Sequence, residues 1–71
     1  MTEKMFRIID DRDDSVVTGA DVGEGNAYIS AYGALVKGQK PWRELEVGES
    51  TLKRYALSGT KPTVYRILRV S

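Results

Sequence analysis

Apolar positions in this chain come in short bursts separated by charged or glycine-containing turns. The first burst, Met5-Phe6-Arg7-Ile8-Ile9, ends in Asp10-Asp11-Arg12-Asp13-Asp14, which predicts a strand running into a polar turn. Ser15-Val16-Val17-Thr18, closed by Gly19, predicts a second strand, hairpin-paired with the first. Gly23-Glu24-Gly25-Asn26 then breaks the pattern, with Asn26 a candidate N-cap. Beyond it Tyr28, Ile29, Tyr32, Leu35 and Val36 recur at a spacing near 3.6 and predict a helix over residues 27–37. Lys37 suits the last turn of that helix and Gly38 its left-handed C′ position. Gly33, in its interior, costs about 1 kcal/mol relative to alanine and implies close packing against a sheet.

The rest of the chain is strand-like. Pro41-Trp42-Arg43-Glu44-Leu45 reads as an irregular segment or single turn, and residues 46–50 as a turn. Residues 52–57 form an imperfectly alternating strand, and residues 58–62 a loop. The clearest strand spans residues 63–70, with Val64, Arg66, Leu68 and Val70 on one face and Tyr65, Ile67 and Arg69 on the other. The expected fold is α+β: about four antiparallel strands in β-β-α-β-β order, with one helix packed across the sheet. Its 71 residues suffice for one domain, residues 1–71.

Composition narrows the chemistry. Cysteine and histidine are both absent, which removes disulfides, Cys/His zinc sites, thiol nucleophiles and imidazole proton shuttles. No apolar run reaches the length of a membrane span, and the first residues lack a signal-peptide core. No membrane role, no cofactor and no catalytic residue are therefore expected, and the reading is of a non-enzyme in the cytoplasm.

The net charge of +1 conceals an asymmetry. Residues 1–25 carry seven acids against three bases, net −4, and residues 26–71 carry eight bases against three acids, net +5. Such a division either meets a charged partner or is neutralised internally when the acidic segment folds beside the basic strands.

Each candidate site has a plainer alternative. Asp11, Asp13 and Ser15 fit the first positions of a calcium loop, but Val16 stands where glycine is needed and Val22 where a bidentate glutamate is needed. A solvated turn is the better reading, so no metal is expected. Gly19, Gly23 and Gly25 match no nucleotide-binding pattern, and Asp21 and Glu24 would repel an anion at the predicted helix start. Ser50, Ser58 and the threonines have no basic partner to activate them. The strongest feature is the basic half, where Trp42, Arg43, Lys53, Arg54, Arg66 and Arg69 combine cations with an aromatic anchor. Those residue types are enriched at protein hot spots. They also serve nucleic acid, which ranks second because no nucleic-acid motif is present and the pI is only about 8.0. In the opposite polarity, Asp10, Asp11, Asp13 and Asp14 would meet a basic partner patch.

The stretch Lys40-Pro41-Trp42-Arg43-Glu44-Leu45-Glu46-Val47-Gly48-Glu49-Ser50 resembles a phrase of small phage-encoded proteins of unknown or regulatory function. In that phrase an aromatic after proline precedes Leu-x-Val-Gly-[Asp/Glu]-Ser, a basic segment and a final strand. The likeness covers about eleven residues and the layout of the C-terminal half, and departs at Thr51, where an aromatic is usual. In size and style the chain is also similar to small phage regulators that bind host RNA polymerase. The resemblance implies a non-catalytic regulator acting on a host protein, RNA polymerase first among them, in the host cytoplasm. Exposed sheet edges would allow a monomer or a small homo-oligomer.

Overall fold

A computed structural model of the chain describes residues 4–25, 27, 33–56, 59 and 61–71. Its strands are β1 (Met5–Asp10), β2 (Val22–Gly23), β3 (Ala34–Leu35), β4 (Ser50–Tyr55) and β5 (Thr63–Arg69). They form one antiparallel sheet in the order β2-β1-β5-β4-β3. The last strand thus sits at the centre, between β1 and β4. Its sequence suits that place: Tyr65 and Ile67 give it apolar character on one face, Val64 and Leu68 on the other.

Register assigns the two faces, because directly paired residues project to the same side. Ile8, Ile67 and Thr51 align across the three long strands, and Phe6 lies opposite both Arg69 and Val22. This is the inner face. Phe6, Ile8 and Ile67 are buried there with Ala27, Trp42 and Leu45. Trp42 and Leu45 come from a 3-10 turn, Trp42–Glu44, closed by Leu45 N–H donating to the Trp42 carbonyl at 3.3 Å. With about three residues per turn, both side chains drop onto the sheet, and Trp42 meets Phe6 edge to face at 5.2 Å between ring centroids.

The turn that follows centres on Gly48 and is held by backbone and carboxylate hydrogen bonds. Gly48 has φ +91°, a conformation that L side chains rarely adopt. Its N–H donates to the Arg69 carbonyl at 2.8 Å, and Arg69 N–H donates back to the Glu49 carbonyl at 3.0 Å. The Glu49 carboxylate accepts from Glu46 N–H at 2.8 Å and from Lys40 Nζ at 3.1 Å. The turn therefore delivers the chain directly into β4, which begins at Ser50, two residues before the predicted start at Leu52.

The expected α+β arrangement, four strands with a helix across them, is not what forms. Among the described residues the fold is a mostly β, five-stranded sheet, and its one complete helical element is the 3-10 turn. Glu24, Gly25 and Ala27 have helical backbone, but Asn26 and residues 28–32 of the predicted helix lie outside the described residues. Its C-terminal part is strand: Ala34 and Leu35 pair with Arg54 and Lys53. Gly33, at φ +100°, lies against the backbone of Arg54 and Tyr55. The close contact at Gly33 is therefore between paired strands and not between a helix and the sheet expected beneath it.

The predicted hairpin partner of β1 is also displaced. Residues 15–18 contribute one bridge, Ile9 to Val16, and regular pairing resumes at Val22 and Gly23 opposite Phe6 and Met5. A turn stabilised by the Thr18 hydroxyl donating to the Ala20 carbonyl at 2.6 Å separates the two. Arg7 then ties Asp21 to β1 through two hydrogen bonds, at 2.8 and 3.2 Å. The strand over 63–70 is observed as Thr63–Arg69 with its predicted alternation.

Among the described residues one polar atom mars the core. The Thr51 hydroxyl is buried on the inner face and has no hydrogen-bond partner. An unsatisfied buried hydroxyl costs about 1–3 kcal/mol, so Thr51→Val, which keeps the side-chain shape, is expected to stabilise the fold. Urea unfolding followed by Trp42 fluorescence should show a gain of about 1 kcal/mol or more.

Candidate functional site

The predicted cationic patch is divided by the sheet. Trp42 is buried in the core, with Arg43 stacked on it at 5.0 Å from guanidinium carbon to ring centroid. Arg43 also approaches Glu24 at 3.9 Å. Lys53 and Arg69 belong to the inner face by register, opposite Tyr65 and Phe6 respectively. Arg69 donates to the Leu45 carbonyl at 2.8 Å and to the Ser71 carbonyl at 3.1 Å, so it fastens the 3-10 turn to the end of β5. Arg54 and Arg66 project from the other face. The six residues do not form one surface.

The acidic cluster is largely engaged within the chain. Asp10 is buried and accepts hydrogen bonds from the Arg12 side chain, the shortest at 2.7 Å, and from the Arg12 backbone N–H at 2.9 Å. Asp11 pairs with Arg66 at 3.4 Å, and Asp13 accepts from the Ser15 hydroxyl at 2.7 Å. Asp14 is exposed and holds φ 59° at the end of the turn. The Asp11–Arg66 and Glu24–Arg43 contacts join the acidic and basic parts of the sequence, so folding cancels part of their asymmetry. Among the described residues no group of three or more acids could hold a metal ion.

These pairs set an acid limit on stability. The Arg12 side chain, then its backbone N–H, holds the Asp10 carboxyl below its usual range. The Ser15 hydroxyl and N–H lower Asp13, and Glu46 N–H with Lys40 lowers Glu49. A carboxyl whose folded pKa is depressed contributes stability above its unfolded value, about 4, and loses it as pH falls through the folded value. The urea midpoint is therefore expected to stay level from neutral pH to about 5 and to drop below about 4. Asp10→Asn should lower the midpoint at neutral pH and flatten that drop.

The outer face of the sheet is where side chains remain accessible. It carries Met5, Arg7 and Ile9 from β1, Ser50, Leu52 and Arg54 from β4, and Val64, Arg66 and Leu68 from β5. Ile9, Leu52, Val64 and Leu68 are only half-buried. Ile9 and Leu52 flank Arg66 in one row across the strands, while Leu68 lies between Arg7 and Ser50 in the next.

At the β3–β4 corner an open groove of about 500 Å³ is lined by Ala34, Leu35, Val36, Lys37, Arg54 and Ala56. Of the sequence-predicted cations it includes Arg54 alone. Ile9, Leu52, Val64 and Leu68 are not among the sequence-predicted candidates, which are charged or aromatic residues. The available signal was the two-sided apolar character of residues 63–70, which marks a central strand and leaves one apolar face to be covered.

No helix among the described residues is long and apolar enough to cross a membrane. Comparisons with protein-family models, curated proteins and solved structures return no match to this chain.

Proposed function

We propose that this chain is a non-catalytic regulator that docks on a protein partner through the outer face of its sheet. The observation that supports this is the half-buried apolar surface of Ile9, Leu52, Val64 and Leu68, with the exposed Arg54 beside it. Apolar area supplies the desolvation free energy of docking, and arginine is enriched where proteins meet. The charge calls for a partner surface that is apolar at its centre with carboxylates around it. The resemblance to small phage regulators names bacterial RNA polymerase as the first partner to test, in the host cytoplasm.

Nucleic acid is the weaker reading. Arg69 is committed to backbone carbonyls, Arg66 to Asp11 and Ser50, and Arg43 to Trp42 and Glu24. A phosphate-tracking groove needs several uncommitted cations on one surface.

The test is retention of purified bacterial RNA polymerase, and of bacterial lysate proteins, on the immobilised chain. The wild type and an Asp13→Asn/Asp14→Asn variant should retain the same protein. Arg54→Glu and Leu68→Glu should each reduce it at least about tenfold, a loss of roughly 1.4 kcal/mol. Retention that nuclease treatment abolishes would favour nucleic acid, and equal retention by all variants would remove the outer face from the account.

A further inference from the structure

We propose that the free edge of β3 takes an extended acidic peptide segment as a sixth strand. The proposal deepens the protein-docking reading by giving the chemistry of one partner segment. Among the described residues β3 ends the sheet, and an edge strand offers unpaired backbone groups to an incoming chain. Val36 N–H donates to the Leu52 carbonyl at 3.0 Å, and Ala34 pairs with Arg54 in the same register. By the alternation of an antiparallel ladder, Leu35 turns its own N–H and C=O away from β4, toward the open edge. β3 is only two residues long, which limits how much edge it offers, but it carries neither the charge nor the proline that guards many natural edges: Ala34 and Leu35 are small or apolar and exposed, Leu35 by 38%.

The groove beside this edge sets the side-chain preference. Ala34, Leu35, Val36 and Ala56 make an apolar floor, and Arg54 and Lys37 are its charged groups, both exposed. Among the described residues neither cation has an ion-pair partner, and no carboxylate lines the groove. A strand laid along β3 would place alternate side chains over the groove. Small apolar residues fit the floor, and glutamate or aspartate answers Arg54 and Lys37.

The experiment is an NMR titration of the isotope-labelled chain with an acetylated eight-residue peptide that carries valine and glutamate in turn on one face and threonine at every other position. Its control carries lysine in place of glutamate. The glutamate peptide at millimolar concentration should move the amide signals of Ala34, Leu35 and Val36 and slow exchange of the Leu35 amide several-fold. The lysine peptide should bind at least about fivefold more weakly, as should the glutamate peptide to Arg54→Ala. Leu35→Pro removes an N–H that the β3–β4 ladder does not use, and proline is tolerated on such an edge. It should abolish the response while Ile67 and Trp42 signals keep their positions.

Equal response to both peptides would overturn the proposal, as would signals moving only at Ile9 or Leu68, or no response. Shifts at Ala34–Val36 that track the protein's own concentration would assign the edge to a second copy and overturn it as well. Leu68→Glu should leave the peptide response unchanged while reducing partner retention, so the outer face and the β3 edge succeed or fail separately.

Discussion

Trp42→Ala is expected to remove about 3–5 kcal/mol of folding free energy, the range for deleting a large buried aromatic. Trp42 is 7% exposed, meets Phe6 edge to face and carries Arg43 on its ring. The aromatic pair alone is worth about 0.5–1.5 kcal/mol beyond its buried area. A domain of 71 residues has roughly 4–10 kcal/mol in total, so the variant should be close to unfolding at 25 °C. Circular dichroism in urea measures this directly. Trp42→Phe, which keeps an aromatic body, should recover more than half of the loss. Equal damage from both variants would mean that ring filling is not what holds the 3-10 turn to the sheet.

Gly33→Ala is the second large effect, and its cause is backbone contact. A Cβ at residue 33 would lie 2.6 Å from the Arg54 carbonyl carbon and 2.9 Å from Tyr55 Cα. Neither atom belongs to a flexible side chain. The φ of +100° adds strain for any L residue. Relief requires β3 to leave β4, so the expected cost is about 2–4 kcal/mol, within the range for overpacking combined with backbone strain. Hydrogen exchange should locate it: the Val36 amide, bonded to Leu52, should lose protection first, before amides in β1 and β5. A Gly38→Ala control has open space around its Cβ and should show only the smaller penalty of its positive φ.

The parts of the fold legible in the sequence are those decided locally. β1 and β5 are short runs rich in apolar and β-branched residues bounded by turn residues, and the Gly48 turn is dictated by a glycine with a capping glutamate beside it. Trp42 and Leu45 sit three residues apart after a proline, which suits a single tight turn. Residues 33–37 were misread because their apolar spacing fits a helix, while their actual state depends on pairing with β4, distant in sequence. Gly33 held the clue, since an interior glycine disfavours the helix it was assigned to. The hairpin partner shifts from residues 15–18 to β2, where Val22 and Gly23 pair with Phe6 and Met5 and Asp21 meets Arg7.

The candidate site was legible in composition but not in arrangement. Arg43, Arg66 and Arg69 were chosen as cations available to a partner, and each proves to hold the chain to itself. Strand alternation alone puts the adjacent Lys53 and Arg54 on opposite faces of β4, and the pairing register decides which of them faces the core. The same register collects Ile9, Leu52 and Leu68, far apart in sequence, onto one surface.

The central claim is that the outer sheet face, and not the acidic turn, meets a protein partner. A photoreactive benzophenone amino acid placed at residue 68 and, separately, at residue 14 tests it in bacterial extract. Residue 68 should yield a discrete protein adduct under illumination and residue 14 none. An adduct from residue 14 alone, or none from a folded chain labelled at residue 68, would contradict the account.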